Sequence, residues 1–170
     1  MEIDCGLCRV RSWRADDRDA LVRHADNPKV AANLRDRFPN PYTTADAEAW
    51  LKHVAATGPA TTFAIEFDGE AVGGIGYEIV DDFDRCSAEV GYWLGETAWG
   101  KGIATAALRG VTAHAFAHHD LTRLYAIPFA ENVPSRRVLE KAGYSCEGMM
   151  RRSVRKRGRV IDAALYAMVR

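Results

Sequence analysis

The residues best suited to chemistry lie in one segment, Trp99-Gly-Lys-Gly-Ile-Ala-Thr105, which follows an apolar stretch ending at Leu94 and leads into an Ala-rich stretch. The apolar stretch favours a strand and the Ala-rich stretch favours a helix, so the segment would open that helix. The first amides of a helix have no intrahelical acceptors, and the helix dipole places partial positive charge there. Gly100 and Gly102 carry no β-carbon that would obstruct a ligand. The pattern therefore predicts an anion site of the kind that holds phosphate groups.

Several interpretations of this segment compete. Gly95-x4-Gly100-Lys101 matches the start of a P-loop, but Gly102 stands where Ser or Thr would hold Mg²⁺. Gly100-x-Gly102-x-x-Thr105 approaches the dinucleotide-binding fingerprint, but that fingerprint has Gly or Ala at the position of Thr105. The strands before the segment also look like antiparallel hairpins rather than βαβ units. An ordinary connection between a strand and a helix is a further alternative.

The segment also resembles the acyl-coenzyme A loop of the GCN5-related N-acetyltransferases (GNAT). In that family Gln or Arg, two variable residues, Gly, one variable residue and Gly or Ala wrap a pyrophosphate. The residues from Gly102 to Ala104 fit this pattern. Trp99 replaces the usual Gln or Arg, a departure typical of the branch that resembles ribosomal-protein N-acetyltransferases.

A second motif supports the resemblance. The stretch from Asn132 to Tyr144 resembles the family's other cofactor segment, in which Asn is followed three residues later by Ser and then by a helix ending in Leu-Glu-Lys-x-Gly-Phe or Tyr. Pro134 suits the first turn of a helix, and Gly143 suits the residue just past its end. A capped helix without a ligand would explain Pro134 and Gly143, but not the order of the two motifs along the chain.

The resemblance implies an α+β GNAT fold, with residues 1–170 forming a single domain. Its sheet would be mixed, mostly antiparallel and seven-stranded, with about four flanking helices and with parallel strands four and five splayed apart. Asp68-Gly69 predicts a two-residue hairpin. The predicted strands are 9–13, 62–67, 71–79, 87–94, 121–127, 144–154 and 160–169, the last two joined around Arg155-Lys-Arg-Gly158. The predicted helices are 15–25, a short one after Pro28, 45–55 capped by Thr44, one reaching about 118, and 134–142.

In the family, the gap between the splayed strands admits the pantetheine arm of acetyl-CoA, which is the co-substrate. The resemblance implies that the end of strand four pairs with this arm, that the amides of residues 101–105 take the pyrophosphate, and that Asn132 fixes the arm from the other side. The implied cofactor residues are Tyr92, Trp93, Leu94, Trp99, Gly100, Lys101, Gly102, Ile103, Ala104, Thr105, Asn132 and Ser135.

The resemblance also implies catalytic residues. Glu89 lies two residues before Gly91, where the family often carries its general base, although a Glu on a strand can be a surface or salt-bridged residue. Ser135 would donate a hydrogen bond to the departing sulfur, or it would cap the following helix. Phe38, Tyr42 and Trp50 would contact substrate in the acceptor cleft, or they would be core.

The predicted activity is transfer of acetyl to a primary amine by direct attack in a ternary complex. The acceptor would be a protein or peptide N-terminal α-amine, or alternatively a small amine such as a polyamine, amino acid or antibiotic. A CoA-binding sensor or scaffold without turnover is an alternative of another class.

Composition limits the other partners. The 170 residues are 48% hydrophobic and 27% charged with a formal net charge of +0, which predicts a globular chain with no overall attraction for nucleic acid. The chain has no apolar run long enough to span a membrane and no secretory signal, so we expect a cytoplasmic protein without a membrane partner. A homodimer is one option.

Three local clusters have simpler interpretations. Cys5-x-x-Cys8 is half a zinc site without its second half, so free thiols are expected. His114 and His118 have a spacing that could hold a metal, but no third ligand is evident, so no metal is expected. Six basic residues from Arg151 to Arg159 could contact an acidic peptide, ribosomal RNA or the 3′-phosphate of the cofactor, although a solvated hairpin tip is the simplest interpretation.

Overall fold

The computed structural model describes residues 2–56 and 61–170, in which eight strands form one sheet. The strands are β1 (Glu2–Asp4), β2 (Arg9–Arg11), β3 (Thr62–Phe67), β4 (Glu70–Ile79), β5 (Ser87–Leu94), β6 (Arg123–Ala126), β7 (Ser145–Lys156) and β8 (Arg159–Val169). The helices are α1 (Arg18–Ala25), α2 (Pro28–Ala31), α3 (Thr44–Ala56), α4 (Ile103–His118) and α5 (Val133–Ala142). The order across the sheet is β1-β2-β3-β4-β5-β6-β8-β7, which confirms the predicted mixed, mostly antiparallel α+β fold.

The predicted number of strands was wrong. The additional strand, β1, pairs antiparallel with β2 and places Ile3 opposite Val10. Its three residues are too few to reveal an alternating pattern, which is why periodicity missed it. The described ranges contain five α-helices, including the predicted short helix at Pro28. No helix in these ranges has the length and apolar character of a membrane span.

The predicted parallel pair is confirmed. Strand β5 runs parallel to β6, with Ser87 opposite Arg123 and Glu89 opposite Tyr125. Helix α4 connects the two strands, as a parallel crossover requires. The recorded pairing ends at Glu89, whereas β5 continues to Leu94, as expected for strands that splay.

The hairpin of β3 and β4 turns at the predicted residues. Asp68 and Gly69 have φ angles of 52° and 81°, which are the positive values that a type I′ turn needs. Farther along β4, Gly73 and Gly74 allow a close approach of the end of β5. A Cβ on Gly73 would collide with the carbonyl oxygen of Trp93, and a Cβ on Gly74 would lie 2.8 Å from Trp93 Nε1. These glycines therefore create the space that Trp93 occupies.

Two predicted helix starts differ from the structure. Residues Ala15–Asp17 form a 3-10 turn, and α1 begins only at Arg18, because Asp17 accepts two hydrogen bonds of 2.7 Å from the buried Arg11. Helix α3 is capped by Thr43 rather than Thr44. The Thr43 amide donates to Asp46 Oδ2 at 2.8 Å, and the Asp46 amide donates to Thr43 Oγ1 at 3.3 Å. This reciprocal pair is a capping box with Asp at its third position.

The closing hairpin is longer than predicted. Strand β7 reaches Lys156 and β8 starts at Arg159, so the turn is Arg157-Gly158 rather than the four residues from Arg155 to Gly158. Arg157 has φ 46° and Gly158 has φ 80°. A positive φ at Arg157 is uncommon for this residue type, and turn prediction from composition does not anticipate it.

The chain divides into two compact units. One contains the residues up to Gly76 together with Tyr92–Val111, and the other contains Tyr77–Gly91 together with Thr112–Arg170. The first unit has a core of Leu21, Ala25, Tyr42 and Ala47. That residues 1–170 act as one domain stays a prediction.

Candidate active site

The predicted anion loop lies between the end of β5 and the start of α4, in the first compact unit. A 3-10 turn at Glu96–Ala98 is followed by Gly100 and Gly102, whose φ angles are 75° and 82°. The Ala106 amide donates to the Gly102 carbonyl at 3.1 Å, which is the first bond of α4. The three amides before Ala106 therefore have no acceptor within the helix. This local geometry is that of an anion-binding helix start.

Space around the loop is consistent with a ligand that approaches the backbone. A Cβ on Gly100 would meet no atom within 4 Å, and the nearest atom to a Cβ on Gly102 would be Leu7 Cδ1 at 3.4 Å. Both glycines are therefore required by their positive φ rather than by crowding. The loop and the start of the helix therefore leave space at the position that a diphosphate would occupy.

Three contacts hold the first half of the loop. The Gly95 amide donates to the Val72 carbonyl at 2.8 Å, and Trp99 Nε1 donates to the Leu94 carbonyl at 2.8 Å. Glu96 accepts hydrogen bonds from Lys29 Nζ and, at 2.9 Å, from Asn27 Nδ2. Because these anchors come from β4, α2 and the loop itself, the loop is positioned before any ligand binds.

The Glu96 anchor persists at neutral pH. The hydrogen bond from Lys29, followed by that from Asn27, lowers the pKa of Glu96 below the ordinary value of a glutamate. A carboxylate with a lowered folded-state pKa contributes stability above its unfolded pKa and loses it as the pH falls through the folded value. The anchor would therefore be lost only under acidic conditions.

Trp99 stands where the resembled acyl-coenzyme A loop has Gln or Arg. The indole is 42% exposed, yet its N–H closes the loop onto the last carbonyl of β5. We expect Trp99→Phe to weaken CoA binding by about 2- to 10-fold, because it removes one hydrogen bond worth about 0.5–1.5 kcal/mol. Calorimetry with CoA measures this, with Trp50→Phe as the matched control. Equal affinity of Trp99→Phe and wild type would contradict a positioning role for the indole.

The remaining loop residues have distinct surroundings. Lys101 is exposed and its Nζ lies 5.2 Å from the centroid of the Phe67 ring, a cation–π contact. The side chain of Ile103 is buried, so only its amide can serve a ligand. Ala104 and Thr105 are half-buried in the first turn of α4.

Several aromatic side chains lie close together in the first compact unit. Phe38 lies 5.2 Å from Tyr42 and 5.7 Å from Trp93, measured between ring centroids. Trp50 packs against the same core cluster. Tyr42 is only 6% exposed, and burial, followed by the charge of Asp46, raises its pKa to about 12. The predicted substrate residues are thus brought together with Trp93, which sequence reasoning had assigned only as a strand edge.

Trp13 belongs to this aromatic group and was missed by sequence reasoning. A Cβ on Gly74 would lie 3.2 Å from Trp13 Cζ2 as well as 2.8 Å from Trp93 Nε1, so both indoles lie over this glycine. Trp13 also lines an open cavity of about 380 Å³ with Arg14, Leu51 and Lys52. The sequence signal that could have found it is the Gly73-Gly74 pair, because glycines within a strand can mark the close approach of a bulky neighbour.

Glu89 lies in the second unit, on β5. Its neighbours Ala88 and Val90 are buried, and Glu89 itself is half-buried on the opposite face of the strand. Gly91 lies on the same face two residues later, and a Cβ there would meet no atom within 4 Å. The strand therefore presents Glu89 beside open space.

The second motif starts helix α5 in the same unit. Asn132 is the N-cap, because its Oδ1 accepts the Ser135 amide at 3.2 Å. The alternative that Ser135 caps the helix was therefore wrong. Gly143 ends the helix in the left-handed conformation with φ 102°, as predicted. Tyr144 forms a buried hydrogen bond of 2.7 Å between its hydroxyl and that of Thr112, so the end of the motif is structural.

The clusters that resembled metal sites show other contacts. The rings of His114 and His118 stack with centroids 4.0 Å apart. Cys5 and Cys8 are free thiols, and Cys8 Sγ lies 3.7 Å from the Ile103 carbonyl oxygen. Across 2–56 and 61–170, no group of three or more His, Cys, Asp or Glu side chains is arranged to hold a metal ion.

Comparison with known proteins identifies relatives along most of the chain. Residues 8–145 match the family model described as the acetyltransferase (GNAT) domain. An uncharacterised N-acetyltransferase, p20 of Bacillus licheniformis, is 28% identical over 165 residues, covering 95% of this chain and 92% of that protein. A ribosomal-protein-serine acetyltransferase of Escherichia coli is 29% identical over 112 residues, covering 66% of this chain and 62% of that protein. Mycobacterium smegmatis RimJ, solved in complex with CoA-disulfide, superimposes with a TM-score of 0.85 at 30% identity, covering 98% of this chain and 84% of that one.

Proposed function

Because this chain belongs to the acetyltransferase (GNAT) family and is an N-acetyltransferase of that type, we propose that it transfers acetyl from acetyl-CoA to the α-amine of a protein or peptide. The observation that carries the proposal is the glycine loop at the start of α4, with space at Gly100 and with first-turn amides that have no acceptor within the helix. The E. coli relative named as a ribosomal-protein-serine acetyltransferase supports a protein as the acceptor.

The loop residues fit the diphosphate of CoA. In the proposal the amides of residues 101–105 donate to the diphosphate oxygens, and the Lys101 ammonium adds a positive charge nearby. The backbone of Tyr92, Trp93 and Leu94 pairs with the amides of the pantetheine arm, and Asn132 fixes the arm through its side-chain amide. Bound acetyl-CoA supplies an activated acyl group as a thioester. Mycobacterium smegmatis RimJ, solved in complex with CoA-disulfide, supports CoA as the ligand.

Glu89 takes up the proton of the acceptor amine in this scheme. The free amine attacks the thioester carbonyl, a C–N bond forms, the C–S bond breaks, and the sulfur leaves as a thiolate. An α-amine with pKa near 8 is roughly a fifth neutral at about pH 7.4, whereas a lysine amine with pKa near 10.4 is only about 0.1% neutral. Proton removal therefore matters for both acceptors, and much more for a lysine-like amine.

Ser135 donates a hydrogen bond to the departing sulfur. A thiol with pKa near 8.5 leaves tolerably as a thiolate, so this donor assists the step without being decisive. Phe38 and Trp50, with Trp93, are partly buried against the core that contains Tyr42, and they form the aromatic wall against which the acceptor would lie.

A thiol-release screen tests the acceptor. The purified chain and acetyl-CoA are combined with peptides of varied N-termini, with the same peptides blocked at the N-terminus but carrying Lys, and with polyamines and amino acids. We expect release with free N-termini at least 10-fold faster than with blocked peptides. Release with small amines alone would make the chain a small-molecule acetyltransferase. Tight CoA binding without release across the panel would favour a sensor or scaffold.

A further inference from the structure

The tip of the β7–β8 hairpin concentrates positive charge that the acetyl-transfer proposal does not use. The hairpin carries six cationic and two anionic side chains, a net charge of +4 in a chain whose formal net charge is +0. All six cations fall between 151 and 159, and five of them are arginines. We propose that this tip binds the phosphate backbone of a nucleic-acid duplex.

Four of the six cations are available for a partner. Arginines 151, 152, 155 and 159 are exposed, and none of the ion pairs among the described residues involves them. Arg155 donates to the Gly158 carbonyl, at 3.5 Å. Of the two acids in the hairpin, Glu147 pairs with Arg123, and Asp162 accepts the backbone amide of Arg152 at 2.7 Å. Neither acid forms an ion pair with these four arginines.

The backbone of β7 disfavours an added peptide strand. The register shifts between Met150 and Val154, and Arg152 adopts φ 52°. An irregularity of this kind interrupts the row of backbone donors and acceptors that a docking strand would need. The Arg152 amide is also already bound to Asp162.

Side-chain composition favours phosphates over an acidic protein. The residues from 151 to 159 include no aromatic side chain, and their single apolar side chain, Val154, is half-buried. The exposed Met149, Met150 and Val160 lie at the base of the tip and are not aromatic. Protein interfaces depend on anchor side chains that are buried in pockets, and exposed ion pairs alone add little. A nucleic acid differs, because neutralising its phosphates releases condensed counterions.

The same composition favours a duplex over a single strand. Binding of single strands uses aromatic side chains on which bases stack, and the tip has none. Arg presents a planar fork of donors that matches phosphate oxygens. A local cluster can act in this way although the formal net charge of the whole chain predicted no nucleic-acid partner.

Fluorescence anisotropy with a labelled 20-base-pair RNA duplex and a matched DNA duplex tests the proposal. With about four phosphate contacts, affinity should fall roughly 10²-fold between about 50 and 200 mM salt. The triple variant Arg151→Gln, Arg155→Gln, Arg159→Gln should lower the salt slope by about 3 and should keep wild-type thiol-release activity. A control variant that neutralises Arg37, Arg85 and Arg137 should change the duplex slope by less than one.

The two duplex arms separate RNA from DNA as the source of the phosphates, and binding to either supports the proposal. Equal binding of wild type and the tip variant would overturn it. Poly-glutamate binding as tight as duplex binding would assign the tip to an acidic protein instead. Weaker CoA binding by the tip variant would assign it to the cofactor, and preference for a single strand would refute backbone recognition of a duplex.

Discussion

Gly102→Asp should bind CoA more than about 10²-fold more weakly than the wild-type chain. The substitution places a carboxylate at the start of α4, where the proposed diphosphate accepts hydrogen bonds from the first-turn amides. Two like charges about 5 Å apart repel by about 3 kcal/mol at an effective dielectric constant of about 20, and the diphosphate carries more than one charge. Calorimetry with CoA measures the loss, and thiol release should fall in parallel when acetyl-CoA is limiting.

The control for this variant is Gly102→Asn. Gly102 has φ 82°, so any side chain there adds strain, but Asn tolerates the left-handed region better than most residues. Leu7 Cδ1, at 3.4 Å from the position of the added Cβ, is the end of a flexible side chain and can move. Asn therefore reproduces the size and strain of Asp without its charge. Similar affinities of the two variants would reject the electrostatic argument, and unimpaired binding by Gly102→Asp would reject the loop as the diphosphate site.

Local signals predicted the parts of the fold that depend on local geometry. Asp68-Gly69 identified a hairpin because few residue pairs accept positive φ at two successive positions. The Ala-rich helix between two apolar stretches identified the parallel pair β5 and β6, since parallel strands need a crossover. The error at the start of α3 was also local: Thr43 and Thr44 both suit a cap, and only the Asp46 three residues after Thr43 distinguishes them.

Contacts between distant positions were not predictable in this way. Glu96 is held by Lys29 and Asn27, which lie almost seventy residues earlier in the chain. Neither of the two segments carries a sequence motif that would predict this contact. The indoles of Trp13 and Trp93 meet over Gly74 because of side-chain packing, which periodicity does not report. The loop itself was predictable from its glycines, whereas the contacts that make it rigid became visible only in the structure.

Glu89→Gln should lower turnover by about 10²-fold or more while leaving CoA affinity within about twofold of wild type. General-base catalysis by a positioned side chain contributes about 10²–10⁴-fold, and Gln is nearly isosteric with Glu but cannot accept the amine proton. Glu89 lies on the face of β5 opposite the buried Ala88 and Val90, so the substitution removes no core packing. A loss in turnover with unchanged cofactor affinity is the pattern expected when an interaction is made only in the transition state.

The acceptor should modulate the size of this loss. Because a lysine-like amine is about 0.1% neutral near pH 7.4 and an α-amine about a fifth neutral, the variant should be more impaired with lysine-like acceptors, and raising the pH should restore α-amine turnover first. Glu78→Gln is the matched control, since Glu78 is an exposed residue on β4. Full turnover in Glu89→Gln would place the base elsewhere. An equal loss in Glu78→Gln would indicate a general electrostatic effect. Glu78 lies on another strand, so its neutralisation leaves the proposed base at Glu89 in place.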